Sequence, residues 1–330
     1  MESLTLRRVI ALALAGLLVA MLPLVVSTAA LPGITQIVVL AGTAMGLNLL
    51  VGAAGLVSMG QGLFFGLGAY GVAIANIKYG VSYGSAAFIA LMITVPIAAL
   101  CAFIALRAKA LFFALLTLAL GQVAYVFVAR SYTLTGGDDG MVGLILPAWL
   151  SDDVAQHVFA AAVTTLVCLT LLILLASPFG ATLRAVRDNR ERVASLGGNP
   201  KFYEFTAFVI AGVLVAVMGT VWVATEGSVE PTVLSWTTSA ILLVMVALGG
   251  RSMFVGPIIG TIVLETSRTF IQAHSSHSDL VVGLLVVLCA VAFPEGIGPP
   301  IFAYIKSLWR ALFSKKADEE NFSTNSAGKS

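Results

Sequence analysis

Long apolar runs, each ended by one or two polar or charged residues, set the pattern of this chain. Between Arg8 and Lys78 lie 69 residues without a single Asp, Glu, Lys or Arg. Further charge-free runs cover 79–106, 110–129, 154–183, 205–225 and 231–250. A helix needs roughly 20 apolar residues to cross the hydrocarbon of a bilayer. Read with a window of about 19 residues, the chain divides into ten expected spans, at approximately 9–28, 33–51, 59–77, 85–106, 110–129, 155–176, 203–224, 235–250, 253–272 and 279–294. Proline (Pro23, Pro96, Pro257) and glycine interrupt several of them. The third and ninth open on glycine-rich stretches that suit either full spans or re-entrant segments buried against other helices.

The pattern predicts an all-α polytopic membrane protein of about ten transmembrane helices. Composition adds weight: 59% of the 330 residues are hydrophobic and 10% charged, where about 25% charged is usual for a soluble domain. A net charge of +2, with no basic run interleaved with stacking aromatics, gives no sign of nucleic-acid binding. Cys101, Cys168 and Cys289 stand alone in separate apolar segments, which fits small buried thiols rather than a disulfide framework or a zinc site.

Orientation follows from the cations. With the N-terminus inside, ten spans put 15 of the 18 Lys and Arg on the cytoplasmic side and leave only Lys78, Arg130 and Arg268 outside. The outer loops instead carry Asp138, Asp139, Asp152, Asp153, Glu226 and Glu230. That asymmetry is the positive-inside pattern, so both termini are expected in the cytoplasm. Arg7-Arg8, the apolar run and Ser27-Thr28-Ala29 also have the outline of a cleavable signal peptide. The run is long for one, and an uncleaved first helix is expected.

The largest inward segment, residues 177–200, reads SPFGATLRAVRDNRERVASLGGNP. Ser177-Pro178 stops a membrane helix, Gly180 permits a turn, and Gly197-Gly198 with Pro200 ends the element. Leu183, Val186, Val193 and Leu196 are apolar among charges. Two readings stand. A short amphipathic helix can dock on a cytoplasmic partner, its apolar residues anchoring and its arginines pairing with acids at the rim. Equally, the arginines can enforce topology and touch anionic lipid.

This loop, with "KFYEFTAFVIAGVLVAVMGTV" after it, resembles the permease subunits of branched-chain amino-acid (LIV-type) ABC importers. Three further blocks carry the resemblance: "GLNLLVGAAGLVSMGQGLFFGLGAYG" at 46–71, "TGGDDGM" at 135–141 and "LVMVALGGRSMFVGPIIGTIV" at 243–263. The closing "FPEGI" at 293–297 agrees. Two departures are visible: Gln61 stands where the family usually has His, and Arg251-Ser252 replaces the usual continuation of a Gly-Gly-x-Gly turn.

The resemblance implies a translocation subunit paired with a second, different permease subunit. Two ATP-binding subunits would bind ATP and Mg, and a periplasmic or external substrate-binding protein would deliver the solute. The setting would be a bacterial inner membrane. It assigns the ATPase-coupling role to Arg184, Arg187, Asp188, Asn189, Arg190, Glu191, Ala194, Leu196 and Gly197, within a transmembrane domain of residues 1–313. Residues 314–330, polar and small, are expected to form a disordered tail, and 301–313 suits a segment lying along the inner leaflet. The chain has no G-x-x-x-x-G-K-[ST] motif, so no cofactor and no catalytic residue is expected on it. Branched-chain or other hydrophobic amino acids are the implied solutes. Urea, short amides and aromatic acids are the alternatives within the same machinery.

Polar residues inside spans are expected to face protein or water. Asn48, Ser58, Gln61 and Glu265 are candidates for the path, with helix-to-helix hydrogen bonding as the competing role. Glu265 and Arg268, three apart on the ninth span, are expected to pair. Gly136, Gly137, Asp138 and Asp139 are candidates for the outer docking loop. A shift of 194 residues superposes Gly55, Ser58, Met59, Gly62 and Gly66 on Gly249, Ser252, Met253, Gly256 and Gly260, the mark of a parallel internal repeat or of recurrent close helix packing. Two rivals are weaker. An ion-coupled transporter would need more intramembrane ionisable groups than this one pair. A metal site at His274, His277 and Asp279 would lack a grouped base or nucleophile.

Overall fold

The computed structural model describes residues 2–108, 111–274, 280, 283–284, 287–288 and 295–300. The charge-free runs form helices. These are α1 (Glu2–Ala20), α2 (Leu31–Asn48, carried on by a wide turn over Leu49–Ala54), α3 (Gln61–Ala73, carried on over Ile74–Lys78), α4 (Tyr83–Ala105) and α5 (Leu111–Arg130). After the short α6 (Tyr132–Thr135) come α7 (Asp153–Ala176), α8 (Pro178–Asp188), α9 (Arg190–Ser195), α10 (Pro200–Glu226), α11 (Trp236–Gly249) and α12 (Gly256–His274). A two-residue ribbon, β1 (Met141–Val142) antiparallel to β2 (Ser228–Val229), closes one end of the bundle. Helices α8 and α9 close the other. These are called the ribbon end and the arginine end below.

Each of the first nine expected spans has a helix, and the differences have local causes. The first was expected to reach residue 28, but α1 stops at Ala20 and Pro23 turns Leu22–Leu24 into a 3₁₀ turn. The ninth begins at Gly256 rather than 253, because Gly250 takes a left-handed φ of 97° and holds the chain in a turn. Pro96 does not interrupt α4. Most of the tenth span lies outside the described residues, as do His277, Asp279, Cys289, the 301–313 stretch and the tail. Among the described residues six helices are long and apolar enough to cross a membrane.

Burial sorts them. The most apolar windows of α2 and α10 are 83% and 67% buried, those of α4, α5 and α7 28%, and that of α1 0%. Helices α2 and α10 are the central posts, and the others turn apolar side chains such as Phe88, Met92, Leu166 and Ile173 outward. Such a surface is stable only against lipid or another apolar partner. Helix α1 is attached chiefly to α7, and His157 fixes it. This buried ring on α7 meets Val19 O through Nε2 at 2.9 Å and Thr35 Oγ1 of α2 through Nδ1 at 2.9 Å.

The central helix crossing is α3 on α10, and glycine makes it. A Cβ on Gly68 would strike the carbonyl of Ala216, and one on Gly219 would strike the carbonyl of Phe65. Small residues let backbones approach this far, which is how helices associate when lipid removes the usual hydrophobic drive. Around the crossing Phe64 stacks edge-on to Phe208 and Phe65 to Trp222, each with ring centroids 5.6 Å apart.

The two copies of the glycine pattern both sit on turns at the arginine end that lead into a helix, in the same direction. Their packing differs. Gly249, Gly256 and Gly260 press α11 and α12 backbone to backbone, whereas Gly62 and Gly66 face Ser235, Ser239 and Leu234. Helices α2 and α3 do not form a close hairpin.

Gly219→Val should therefore cost about 1–3 kcal/mol or more by overpacking, read as a lower melting temperature in detergent. Gly33→Ala, with nothing within 4 Å of the added Cβ, should be neutral or stabilising by up to about 1 kcal/mol. Equal effects at the two positions would remove the α3–α10 crossing from its central place.

Candidate functional site

Two helices begin in the interior of the bundle. After α10 the chain returns through β2 and a 3₁₀ turn over Pro231–Leu234 before α11 starts. Ser235 caps α11 by accepting from Thr238 N at 3.4 Å. The Thr238 hydroxyl donates to Thr232 O at 2.9 Å. Helix α3 begins beside it: Gly62 N donates to Ser239 Oγ at 2.8 Å. The N-terminal turns of α3 and α11 thus meet.

A cavity of about 640 Å³ opens at this junction. Its polar wall is the start of α11 (Thr232, Ser235, Thr237, Thr238) with Gln122 of α5 and Glu265 and Arg268 of α12. Its apolar wall comprises Leu40, Phe65, Trp222, Trp236, Ile241 and Leu242. Gln122 stands about 16 Å along α5 and Glu265 about 14 Å along α12, at 1.5 Å per residue. Helix α5 is long and apolar enough to cross a membrane, so Gln122 lies near the middle of a hydrocarbon layer about 30 Å thick.

Two acceptors in this wall are unpartnered. Glu265 Oε1 and Gln122 Oε1 are both buried without a hydrogen-bond partner. The expected pairing of Glu265 with Arg268 is not made: the described ion pairs are Arg187–Asp188 and Arg190–Glu204, and both α12 side chains line the cavity instead. An orphaned buried acceptor is costly; Asn48 Oδ1 and Gln61 Oε1, outside this cavity, are unpartnered as well.

The other path candidates lie elsewhere. Ser58 and Gln61 are fully buried at the start of α3, with Ser58 Oγ accepting from Gly60 N and from Gln61 Nε2, each at 3.4 Å. Asn48 lines a separate cavity at the arginine end. Of the four, only Glu265 faces the central cavity. Sequence reasoning missed Gln122 and the α11 start. A lone amide in the charge-free run 110–129 and the hydroxyl-rich "PTVLSWTTS" opening the eighth span were the available signals.

At the arginine end, Gly180 allows the sharp turn from α7 into α8, since a Cβ there would meet the backbone of Leu175 at 2.6 Å. Leu183 and Val186 are buried against the chain's own bundle, so they do not serve as anchors for a partner. Three of the arginines turn inward as well. Arg184 donates to Leu175 O at 2.9 Å, satisfying the end of α7. Arg187 donates to Gly52 O at 2.6 Å, gripping the end of α2, and pairs with Asp188 at 2.9 Å. Arg190 pairs with the nearly buried Glu204 of α10 at 3.0 Å. Asn189 caps α9 by accepting from Arg192 N at 2.9 Å. What faces outward is α9 and its end: Glu191, Arg192, Ala194, Gly197 and Leu196, the last 81% exposed.

At the ribbon end, Gly136 and Gly137 take left-handed φ angles of 79° and 65°, and Asp138 and Asp139 are exposed on the turn they make. The chain then enters β1, whose partner β2 leads into the cavity wall. Among the described residues no three His, Cys, Asp or Glu side chains converge to hold a metal ion.

The family model described as branched-chain amino acid transport system / permease component matches residues 29–290. The high-affinity branched-chain amino acid transport system permease protein LivM of Escherichia coli (strain K12) is 28% identical over 293 residues, covering 81% of this chain and 68% of that protein. The protein of the same name from Salmonella typhimurium (strain LT2) is 28% identical over 292 residues, covering 80% and 68%. No solved structure matches.

Arg190→Ala should lower stability by about 1 kcal/mol, the upper end for an ion pair whose arginine is half exposed, because it leaves the Glu204 carboxylate without its partner in a nearly buried position. Adding Glu204→Gln should restore part of that stability in a double-mutant cycle of melting temperatures. Strictly additive losses would mean the pair does not hold α9 to α10.

Proposed function

The chain belongs to the branched-chain amino-acid transport-system permease family, and from that premise we propose that it is one membrane subunit of an ATP-driven importer of branched-chain amino acids. The observation that carries the reading is a cavity with one aromatic and aliphatic wall and one polar wall, in which Glu265 and Gln122 each leave an acceptor unpartnered beside Arg268. An amino-acid zwitterion supplies what each wall lacks. Its ammonium donates to Glu265 Oε1 and Gln122 Oε1. Its carboxylate faces Arg268 and the first turn of α11, where the helix dipole favours negative charge. Its branched side chain lies against Trp222, Ile241 and Leu242. Urea has no carboxylate for Arg268. An aromatic acid has no ammonium and would set its own charge beside Glu265.

The rest of the machine lies on other chains. No phosphate-binding G-x-x-x-x-G-K-[ST] stretch is present, so ATP hydrolysis belongs to two partner subunits at the arginine end, in the cytoplasm by the positive-inside rule. Those subunits would meet the exposed α9 through Leu196, Glu191 and Arg192. Their movement would reach α2 through Arg187 and Gly52, and α10 through Arg190 and Glu204. A second permease subunit would complete the path, and an external binding protein would dock at Asp138 and Asp139. The ribbon would then carry its arrival to the cavity wall. Alternating access requires interfaces with two discrete packings.

In liposomes containing the chain with its co-purifying partners, labelled leucine should enter only when ATP is supplied on the ATPase side. Glu265→Gln and Arg268→Gln should each lower that uptake about 10- to 100-fold, since one charge-assisted hydrogen bond is worth about 1.5–3 kcal/mol. Leucine uptake indifferent to both substitutions would remove the cavity from the path. Arg187→Glu should insert normally yet lose ATP-driven uptake while ATP is still hydrolysed. Transport at the unmodified rate by this variant would rule out the Arg187–Gly52 link.

A further inference from the structure

The cavity at the arginine end, about 520 Å³, is lined by Arg8 of α1, Arg184 and Arg187 of α8, and Arg251 of the α11–α12 turn. Among its described lining residues there is no carboxylate, and the one acid paired nearby is Asp188, on Arg187. Arg184 and Arg187 each give one terminal nitrogen to a backbone carbonyl. A guanidinium has five N–H donors, so Arg184 keeps most of its donors free, whereas Arg187 also gives Nε and a second terminal nitrogen to Asp188. Arg8 and Arg251 are exposed at the rim. Four guanidinium groups drawn from three separate elements make this a strongly cationic cavity, suited to an anion.

A second cavity begins one helical turn further along α1 and α7, from Arg8 to Leu12 and from Leu172 to Cys168. It is almost wholly apolar and is lined by Leu12, Gly16 and Val19 of α1, Cys168 of α7, and Ile258 and Ile262 of α12. From Arg8 to Val19 is about 16 Å of helix, about half of a hydrocarbon layer 30 Å thick. Helix α7 runs past in the opposite sense, giving Leu172 and Leu175 to the arginine cavity and Ala161 and Cys168 to the apolar one. A charged head and an apolar tail one leaflet deep are thus aligned on the same two helices.

We propose that the two cavities form one site for an anionic glycerophospholipid, its phosphate among the four arginines and an acyl chain in the slot beside α1. Basic pockets between membrane helices recognise acidic headgroups in this way. The bound lipid would tie α1, the α8 segment and the α11–α12 turn together at the point where Arg187 grips Gly52. The site rests on the orientation argued above only in assigning it to the inner leaflet.

The test uses the purified full-length chain in neutral detergent, with phosphatidylglycerol and phosphatidylcholine of identical acyl chains compared by native mass spectrometry. Neither ATP nor amino acid is present, so failure of the transport reading leaves the result untouched. Phosphatidylglycerol should be retained at least tenfold more strongly. The double variant Arg8→Gln, Arg251→Gln should reduce it to the phosphatidylcholine level with the melting temperature unchanged. Ala15→Trp, which fills the slot from exposed α1, should weaken lipid retention and leave inorganic phosphate unaffected. Equal retention of the two lipids would overturn the site. So would phosphate competing at millimolar concentration with no dependence on Ala15, which would mark a soluble anion as the ligand. Retention appearing only after deletion of residues 314–330 would make the tail's Asp318-Glu319-Glu320 the native occupant and overturn it equally.

Discussion

Backbone that leaves a helix inside an apolar bundle must find hydrogen-bond partners from the protein, because the surrounding hydrocarbon offers none. Residues 55–60 do leave the helix here, and several side chains of the molecule serve the ends of helices. Thr117 Oγ1 accepts from Met59 N at 3.1 Å, and Ser239 Oγ from Gly62 N at 2.8 Å. Arg187 covers the carbonyl of Gly52 where α2 ends. Asn76 does the same at the ribbon end, where it accepts from Ile145 N at 2.7 Å and donates to Ile145 O at 3.0 Å. Each is one side chain holding an otherwise stranded segment of main chain, so each is also a point where movement of one element is felt by another.

That demand explains why the polar residues of a chain with so few charges are concentrated where they are. Main chain interrupted near mid-membrane brings helix N-termini and hydroxyls to one place, and the central cavity forms around them. Glycine supplies the other half. Only because Gly68 and Gly219 let α3 and α10 touch backbone to backbone can α3 stand deep in the bundle with its first turn against α11. A larger residue at the crossing would move the cavity wall as well as the helix.

The helices were legible because hydrocarbon length and charge exclusion act locally. The cavity was not. Gln122 and Glu265 are 143 residues apart, and nothing in either neighbourhood announces the other; only the packing of α5 and α12 around the start of α11 joins them. The Glu265–Arg268 spacing suggested a pair because three-residue separation places side chains on one face; both do line one cavity, within electrostatic reach of each other but without an ion-pair contact. The arginines of α8 were legible in hindsight. Leu183, Arg184, Val186 and Arg187 fall on one helical stripe. Once the two aliphatic residues are known to be buried, the two arginines must start from the bundle side of the helix, Arg187 staying partly exposed. Pattern gave the element; its facing direction needed the neighbours.

This inward turn changes what the segment does mechanically. A loop whose cations merely faced a partner could shift without consequence for the bundle. With Arg184 on the end of α7, Arg187 on the end of α2 and Arg190 on Glu204 of α10, the segment is bonded to three helices, two of them the central posts. Its exposed face, α9 with Leu196, is free to be pushed. The ribbon at the opposite end is bonded in the same economical way, two residues against two, and continues directly into Thr232 and Ser235. The cavity therefore lies between two short peripheral elements, each held by named hydrogen bonds and by buried apolar side chains, Leu183 and Val186 at the arginine end and Met141 and Val229 at the ribbon end. A displacement at either end would reach the cavity through α2, α10 or the start of α11, the elements that shape it.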